Sequence, residues 1–173
     1  ADDGIETGNG LLTQIYLVSD EEHENTQAKM FIIPTYVAKV DGDYDKDDKE
    51  LTLKGLEDDG AVSVPADSLV LSADDFDNLD SFADGDYVLV TVADDVIETV
   101  SKAEVITGDV DGYVADKNVT VDKNRYSYTK GFEGPADAYK LNSECELVMD
   151  KYGYVIFADN VEADGSYVYV SDA

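Results

Sequence analysis

Hydrophobic and polar positions alternate with a period of two along most of this chain, which is the pattern of half-buried β-strands. In residues 118–128, for example, Val119 and Val121 alternate with Thr120 and Asp122. Segments rich in Val, Ile, Thr and Tyr, which favour strands, predict further strands at residues 11–19, 28–40, 50–54, 61–64, 68–71, 87–93, 96–105, 110–115, 144–149, 152–158 and 167–171.

Turn signals separate these segments. The dipeptide Asp-Gly, which tolerates the positive φ of tight hairpins, recurs at residues 41–42, 59–60, 84–85, 111–112 and 164–165. Short strands joined by tight turns predict antiparallel sheets. One segment differs: Phe76, Leu79 and Phe82 stand three apart after Ser72, which is suited to an N-cap position, so we expect one short helix near residues 73–82.

Repeats and charge divide the chain in two. Asp-Gly-x-Tyr occurs at residues 41–44, 84–87 and 164–167, and Thr-Gly occurs at 7–8 and 107–108. Residues 1–106 hold 27 acidic and 6 basic side chains, whereas residues 107–173 hold 13 and 6. We therefore predict an all-β protein with two small antiparallel lobes, barrel-like or sandwich-like: an acidic N-terminal lobe (1–106) and a tyrosine-rich C-terminal lobe (107–173).

The charge balance excludes several classes of protein. Forty Asp and Glu against twelve Lys and Arg give a formal net charge of -28, which repels nucleic acids, so we exclude nucleic-acid binding. Apolar runs are much shorter than the about 20 residues that span a bilayer, and we expect no membrane insertion. A single Cys excludes an internal disulfide. The chain begins at Ala1, so we expect a processed or excised piece of a longer protein.

Three stretches of sequence, residues 33–48, 82–128 and 147–160, together suggest a family. Their most specific parts are DYVLVTV (86–92), KAEVITG (102–108) and LVMDKYGYVI (147–156). The chain resembles the repeated β modules of Gram-positive surface proteins that carry S-layer homology domains, although it contains no such domain itself. The family pattern has a Gly-containing turn where this chain has DKNRY (122–126). The resemblance implies an extracellular place on the bacterial cell surface and a structural or display role.

The most metal-like segment is the acidic run at residues 41–48. Alternate carboxylates there could supply some of the about six to eight oxygen ligands that Ca²⁺ takes; they belong to Asp41, Asp43, Asp45 and Asp47. The EF-hand pattern fails, because Lys46 or Asp48 stands where Gly is required. A looser calcium site and a solvated hairpin tip both remain open. A second acidic run, residues 74–86, has the same two interpretations.

The distribution of tyrosines indicates a glycan as the small ligand that the sequence favours most. Seven of the twelve lie in the last third of the chain, and three pairs stand two apart, a spacing that places both rings of a pair on one face of a strand. Such rings could form a flat surface on which sugars stack, and the opposite interpretation is that they are strand formers packed across a sheet. The candidate glycan-binding residues are Tyr126, Tyr128, Tyr152, Tyr154, Tyr167 and Tyr169.

No motif indicates catalysis. The only His, His23, lies in a polar run, and Cys145 lies between two Glu side chains on the inner face of a predicted strand. We therefore predict a non-catalytic structural or display module of a surface-layer or cell-wall-associated protein. Its expected partners are neighbouring modules of the same protein or lattice, and calcium is its only expected metal. The alternative is a glycan-binding module that recognises cell-wall glycan through the tyrosine-rich lobe.

Overall fold

The computed structural model confirms an all-β protein with two lobes. It describes residues 8–20, 25–56, 62–134 and 139–160. The strands are β1 (Leu12–Asp20), β2 (Asn25–Ile33), β3 (Tyr36–Val40), β4 (Glu50–Lys54), β5 (Val70–Ser72), β6 (Tyr87–Ala93), β7 (Val96–Lys102), β8 (Glu104–Val114), β9 (Asn118–Val121), β10 (Asn124–Ser127), β11 (Glu144–Met149) and β12 (Val155–Asn160).

The first lobe is a five-stranded antiparallel sheet, here called the first sheet, with strand order β5-β4-β3-β6-β7. Alternate residues of β3, β4 and β6 point to one face, where the loop between β5 and β6 covers them with apolar side chains. The fully buried members of this core include Val40, Leu51, Leu79, Val88 and Val90. The period-two alternation of these strands thus gives the first lobe a core of its own.

The second lobe is another five-stranded antiparallel sheet, here called the second sheet, with strand order β10-β9-β8-β11-β12. Its own core lies on one face, where Val110, Val121, Cys145 and Leu147 are almost completely buried. The chain passes from the first sheet to the second at Ala103, between β7 and β8. The division of the chain into domains at residues 106 and 107 stays a prediction.

A third core joins the two sheets. Val37, Tyr87 and Leu89 of the first sheet pack with Val148 and Phe157 of the second, on the faces opposite their own cores. The Tyr87 and Phe157 ring centroids are 5.6 Å apart. A β-bulge in β12 increases this contact, because the register passes from Val148↔Phe157 to Met149↔Val155 and leaves Ile156 as the extra residue. Ile156 joins the shared core beside Phe157.

The N-terminal segment, residues 8–11, contacts the second lobe although it belongs to the first part of the sequence. The carbonyl oxygen of Asn9 accepts hydrogen bonds from the Lys130 N–H (2.8 Å) and the Thr129 hydroxyl (3.0 Å). Gly10 has a φ of +79°, and a Cβ at this position would collide with the side chains of Thr129 and Asp150. Close docking of this segment therefore requires glycine at position 10.

Strands β1 and β2 form a separate two-stranded sheet, which we call the ribbon. They pair antiparallel over nine consecutive residue pairs, from Leu12↔Ile33 to Asp20↔Asn25. The predicted strand at residues 28–40 is therefore two strands, because Pro34, which lacks an N–H, separates β2 from β3. The predicted strand at 61–64 is absent over residues 62–64, and the one at 167–171 lies outside the described residues.

Asp-Gly dipeptides do not form the hairpin turns of this fold where the chain is described. Asp111 and Gly112 lie inside β8, where Asp111 is the extra residue of a bulge between Val110 and Gly112. The two-residue hairpins are formed instead by Asp94-Asp95 and by Asp122-Lys123. All four of these residues have positive φ, between 46° and 67°, as a type I′ turn requires. Non-glycine residues thus adopt the positive φ that the sequence predicted for Asp-Gly turns.

The predicted helix near residues 73–82 is shorter in the structure. Ser72 begins one helical turn, since its carbonyl oxygen accepts a hydrogen bond from the Phe76 N–H at 3.1 Å. Asn78 then adopts a left-handed φ of 62°, and only a 3₁₀ helix, Leu79–Ser81, follows it. The spacing of three did identify the buried face, because Phe76, Leu79 and Phe82 all pack into the first core.

We expect Asp95→Gly to stabilise the protein by about 1 kcal/mol, because it removes the cost of a left-handed conformation at a residue with a Cβ. The measurement is the midpoint of urea unfolding. Asp95→Ala is the matched control: it removes the same charge but keeps the Cβ at a φ of 63°, so no gain is expected from it. An equal gain from both variants would show that charge, rather than the backbone, is responsible.

Candidate functional site

The first acidic run forms an exposed loop between β3 and β4. Asp45 organises it: its Oδ1 accepts hydrogen bonds from the backbone N–H groups of Asp47 (2.8 Å) and Asp48 (3.0 Å). These bonds hold the pKa of Asp45 below its ordinary value. Asp41 lies 3.6 Å from the Lys54 ammonium. One oxygen of the Asp45 carboxylate, Oδ1, therefore already accepts hydrogen bonds from the loop's own backbone.

The fold brings part of the second acidic run to this loop. The Gly42 N–H donates to Asp84 Oδ1 at 2.9 Å, and the backbone of Val40 bonds to Gly85 and Asp86. Two segments more than 40 residues apart thus meet at one end of the first sheet. Even so, the described residues contain no group of three or more His, Cys, Asp or Glu side chains placed to hold a metal ion. Calcium binding by Asp41, Asp43, Asp45 and Asp47 stays a prediction.

Asp86 is held more firmly than its neighbours. Its Oδ2 lies 2.7 Å from the Lys102 ammonium and accepts a 2.9 Å hydrogen bond from the Ala83 N–H. These two hydrogen bonds lower the pKa of Asp86. Because the folded-state pKa lies below the unfolded-state pKa, the associated stability is present at neutral pH and is lost as the pH falls through the folded-state value.

We expect Asp86→Asn to lower the free energy of unfolding at pH 7 by about 0.5–1 kcal/mol, the size of a surface ion pair. The difference from the parent should begin to shrink as the pH falls below about 4, the ordinary pKa of Asp in the unfolded chain, and should disappear once the folded-state carboxylate is neutral as well. Urea unfolding at several pH values measures it. Asp80→Asn removes a charge from an exposed side chain of the same segment and should change stability by less than about 0.5 kcal/mol. A pH-independent loss in Asp86→Asn would contradict the prediction.

Two of the candidate glycan residues face the core. Tyr126 and Tyr128 do share one face, as their spacing predicts, but that face packs into the second core. Tyr128 is 4% exposed, and its ring lies 5.1 Å from that of Phe132. Burial raises the pKa of Tyr128 and of its buried neighbour Tyr139. The Tyr126 and Tyr128 rings therefore pack against the core of the second sheet, as expected if tyrosines act as strand formers rather than as a sugar-binding surface.

The other described pair, Tyr152 and Tyr154, lines a surface groove. Both follow β11 in the turn that leads to β12, and the opposite wall is the backbone and side chains of residues 8–13. Tyr152 is 41% exposed. The Lys151 ammonium lies 5.2 Å from the Tyr152 ring centroid, a cation–π distance. The groove thus presents an exposed ring, a half-buried ring and polar groups from Asn9 and Thr13.

Asp150, which the sequence analysis did not single out, positions this turn. It is 5% exposed, and its Oδ1 accepts hydrogen bonds from the Tyr152 N–H (2.8 Å) and the Tyr154 N–H (2.9 Å). The other oxygen, Oδ2, is buried without a hydrogen-bond partner in the described part of the chain. An Asp two residues before Tyr-Gly-Tyr was the available signal, because Asp commonly accepts hydrogen bonds from backbone N–H groups two residues later.

Of the remaining candidate residues, Tyr167, Tyr169 and His23 lie outside the described residues. Cys145 is buried in the second core, and burial, aided by surrounding carboxylates, raises the pKa of its thiol to about 11. A thiol with a raised pKa stays mostly protonated at neutral pH, which fits a small side chain packed in a core.

Fold and surface together define a class: an acidic all-β protein in which two antiparallel sheets share a central core, with a tyrosine-lined groove beside the second sheet. No protein-family model, curated protein or solved structure matches the chain. Within the described residues, no helix has the length and apolar character to cross a membrane.

Proposed function

We propose that this chain is a non-catalytic structural or display module of a bacterial surface-layer or cell-wall-associated protein. The observation that carries the proposal is the shared core, in which Val37 and Tyr87 of one sheet pack with Val148 and Phe157 of the other. A continuous apolar contact between two sheets couples their stability without a disulfide. That property suits a module that holds or spaces its neighbours outside the cell.

The acidic surface supports the same role. Among residues whose burial the structure describes, every Asp and Glu is exposed except Asp86, Glu146 and Asp150. Such a surface repels its own copies at low ionic strength, and salt or divalent cations reduce the repulsion. Contacts between modules would therefore respond to the ions of the cell exterior.

Protease treatment of intact cells tests this proposal. In cells that produce the protein, an antibody raised against the two five-stranded sheets should label the cell surface. Brief protease treatment of intact cells should remove the antibody signal. A cytoplasmic protein followed in the same samples is the control for cell integrity. Retention of the chain until the cells are lysed would contradict a surface role.

Calcium is part of the proposal, with the loop of Asp41, Asp43, Asp45 and Asp47 as the site. We expect about 5 mM CaCl₂ to raise the melting temperature more than about 15 mM NaCl, which has the same ionic strength. Asp43→Asn with Asp47→Asn should abolish the difference, whereas Asp74→Asn with Asp77→Asn, an equal change of charge elsewhere, should not. Superimposable melts in the two salts would remove calcium from the proposal.

Glycan binding is the second candidate, favoured by the groove that Tyr152 and Tyr154 line. An exposed ring beside backbone and amide polar groups can stack on a sugar while hydrogen bonds orient the hydroxyls. Binding to a glycan array should be lost in Tyr152→Ala. Tyr113→Ala is the matched control, because Tyr113 is 40% exposed and lies in β8, away from the groove. If the parent binds no glycan, the candidate falls.

A further inference from the structure

The ribbon stands apart from both five-stranded sheets. Its two strands pair only with each other, and among the described residues no backbone hydrogen bond joins either strand to another element. Each strand consequently has one edge whose N–H and C=O groups have no backbone partner among the residues that the structure describes. An isolated two-stranded sheet is only marginally stable in water, and open edges of this kind readily accept another strand.

Both faces of the ribbon expose large apolar side chains. Ile15 and Met30 are directly paired across the strands and are 62% and 43% exposed. Tyr16 and Phe31, on the other face, are each 51% exposed and meet edge to face with ring centroids 5.7 Å apart. A ribbon packed against a sheet would expose only one of its faces, so here neither face is covered at these positions.

Charge makes the ribbon an exception on this protein. The two strands contain one of the forty Asp and Glu, Asp20 at the end of β1, and one basic residue, Lys29; residues 12–19 carry no charge. Two copies of a chain with a net charge of -28 repel each other in most orientations. An approach through residues 12–19 brings together segments without charge.

We propose that the ribbon is a self-association surface, on which β1 pairs antiparallel with β1 of a second copy to form a four-stranded sheet. The charges favour β1 over β2. Lys29 lies at the middle of β2, where two antiparallel β2 edges would oppose the two Lys29 side chains, whereas the one charged residue of β1, Asp20, lies at its end and residues 12–19 are uncharged. The contact is isologous, with the same segment used by both copies. This inference deepens the proposed structural role by naming the second copy as the partner of the module.

The proposal makes association dependent on salt in an unusual direction. Screening reduces repulsion between the acidic surfaces but hardly affects apolar contacts and backbone hydrogen bonds. We therefore expect the dimer dissociation constant to fall at least about tenfold between about 0.05 and 0.5 M NaCl. An interface that depended on ion pairs would instead weaken.

Sedimentation equilibrium of the 173-residue chain at both salt concentrations tests this. A monomer–dimer equilibrium that tightens with salt is the expected result for the parent. Ile15→Glu should weaken the dimer at least about tenfold, because two carboxylates would be placed in the new sheet. Val96→Glu is the matched control, since Val96 is 59% exposed on another hairpin, and it should dimerise as the parent does. A monomer at all concentrations up to about 1 mM in 0.5 M NaCl would overturn the proposal and direct attention to a strand of a different protein.

Hydrogen exchange on the unmodified chain provides a test that no folding defect can confuse. At dimer-forming concentrations, amides within residues 12–20 should gain more protection than those within 25–33, because only β1 acquires a new hydrogen-bonded edge. Protection of β2 alone, or equal association by Ile15→Glu and Val96→Glu, would contradict the β1 contact. Failure here leaves the surface role to the cell-labelling experiment, whose outcome does not depend on dimerisation.

Discussion

Phe157→Ala is expected to lower the free energy of unfolding by about 3–5 kcal/mol, the range for deleting a buried aromatic ring. Phe157 is 1% exposed in the shared core and packs beside the Tyr87 ring of the other sheet. The bulge places Ile156 beside Phe157 in the shared core, so deletion of the ring leaves a cavity between the two sheets that the surrounding side chains fill only in part. Urea unfolding followed by circular dichroism measures the loss.

Phe31→Ala is the matched control, because it deletes the same ring from a side chain that is 51% exposed. Its effect should stay within about 1 kcal/mol, the value of a cross-strand aromatic pair. The shared core also predicts that the parent unfolds in a single transition. If Phe157→Ala costs no more than Phe31→Ala, the two sheets do not support each other as described.

Asp150→Ala should cost about 2–4 kcal/mol, because it removes the charge-assisted hydrogen bonds to the Tyr152 and Tyr154 N–H groups from a buried turn. Two such bonds would suggest a larger figure. The parent, however, already carries the cost of burying Oδ2, which has no hydrogen-bond partner among the described residues, and the substitution removes that cost along with the bonds. The net effect is therefore smaller than the sum of the two bonds, and urea unfolding measures it.

Asp150→Asn separates the two contributions, since an amide oxygen can still accept both N–H groups without a charge. Its loss should be smaller than that of Asp150→Ala. Asp159→Ala, at an exposed position of β12, should change stability by less than about 0.5 kcal/mol. An unchanged stability in Asp150→Ala would mean that the turn does not depend on this carboxylate.

The strands that the sequence predicted best are those with uninterrupted alternation and clear ends. Predicted and observed limits agree for β4, β6 and β11. In β4 buried and exposed residues alternate strictly, so the pattern reports burial of one face directly. Strands β6 and β11 also bury residues of the other face in the shared core, and their ends are marked by polar residues and turns. Prediction was least accurate where a strand continues through a turn-like dipeptide: β8 runs from Glu104 to Val114 through Asp111-Gly112, because a bulge accommodates the residues that usually end a strand.

Spacing correctly predicted that Tyr126 and Tyr128 share a face, but it could not say what that face contacts, and the strand predicted from residue 152 begins only at Val155. Tyr126 and Tyr128 contact the core, whereas Tyr152 and Tyr154 lie in a turn whose opposite wall comes from residues more than 100 positions earlier. The hydrogen bond from Gly42 to Asp84 is similarly distant in sequence. Contacts of this kind depend on which distant segments pair or dock in the fold, which a local pattern does not encode.

The docking of residues 8–11 on the second lobe changes how a pulling force would act on the chain. The Thr129 hydroxyl donates to the carbonyl oxygen of Asn9, 120 positions earlier. This hydrogen bond closes a loop of the chain that contains the first lobe. Tension applied between Gly8 and Asn160 would act first on these hydrogen bonds and on the second sheet. Once the bonds rupture, unfolding of residues 36–102 would lengthen the chain by up to about 200 Å. The first lobe would thus absorb part of the work of a sudden extension by unfolding.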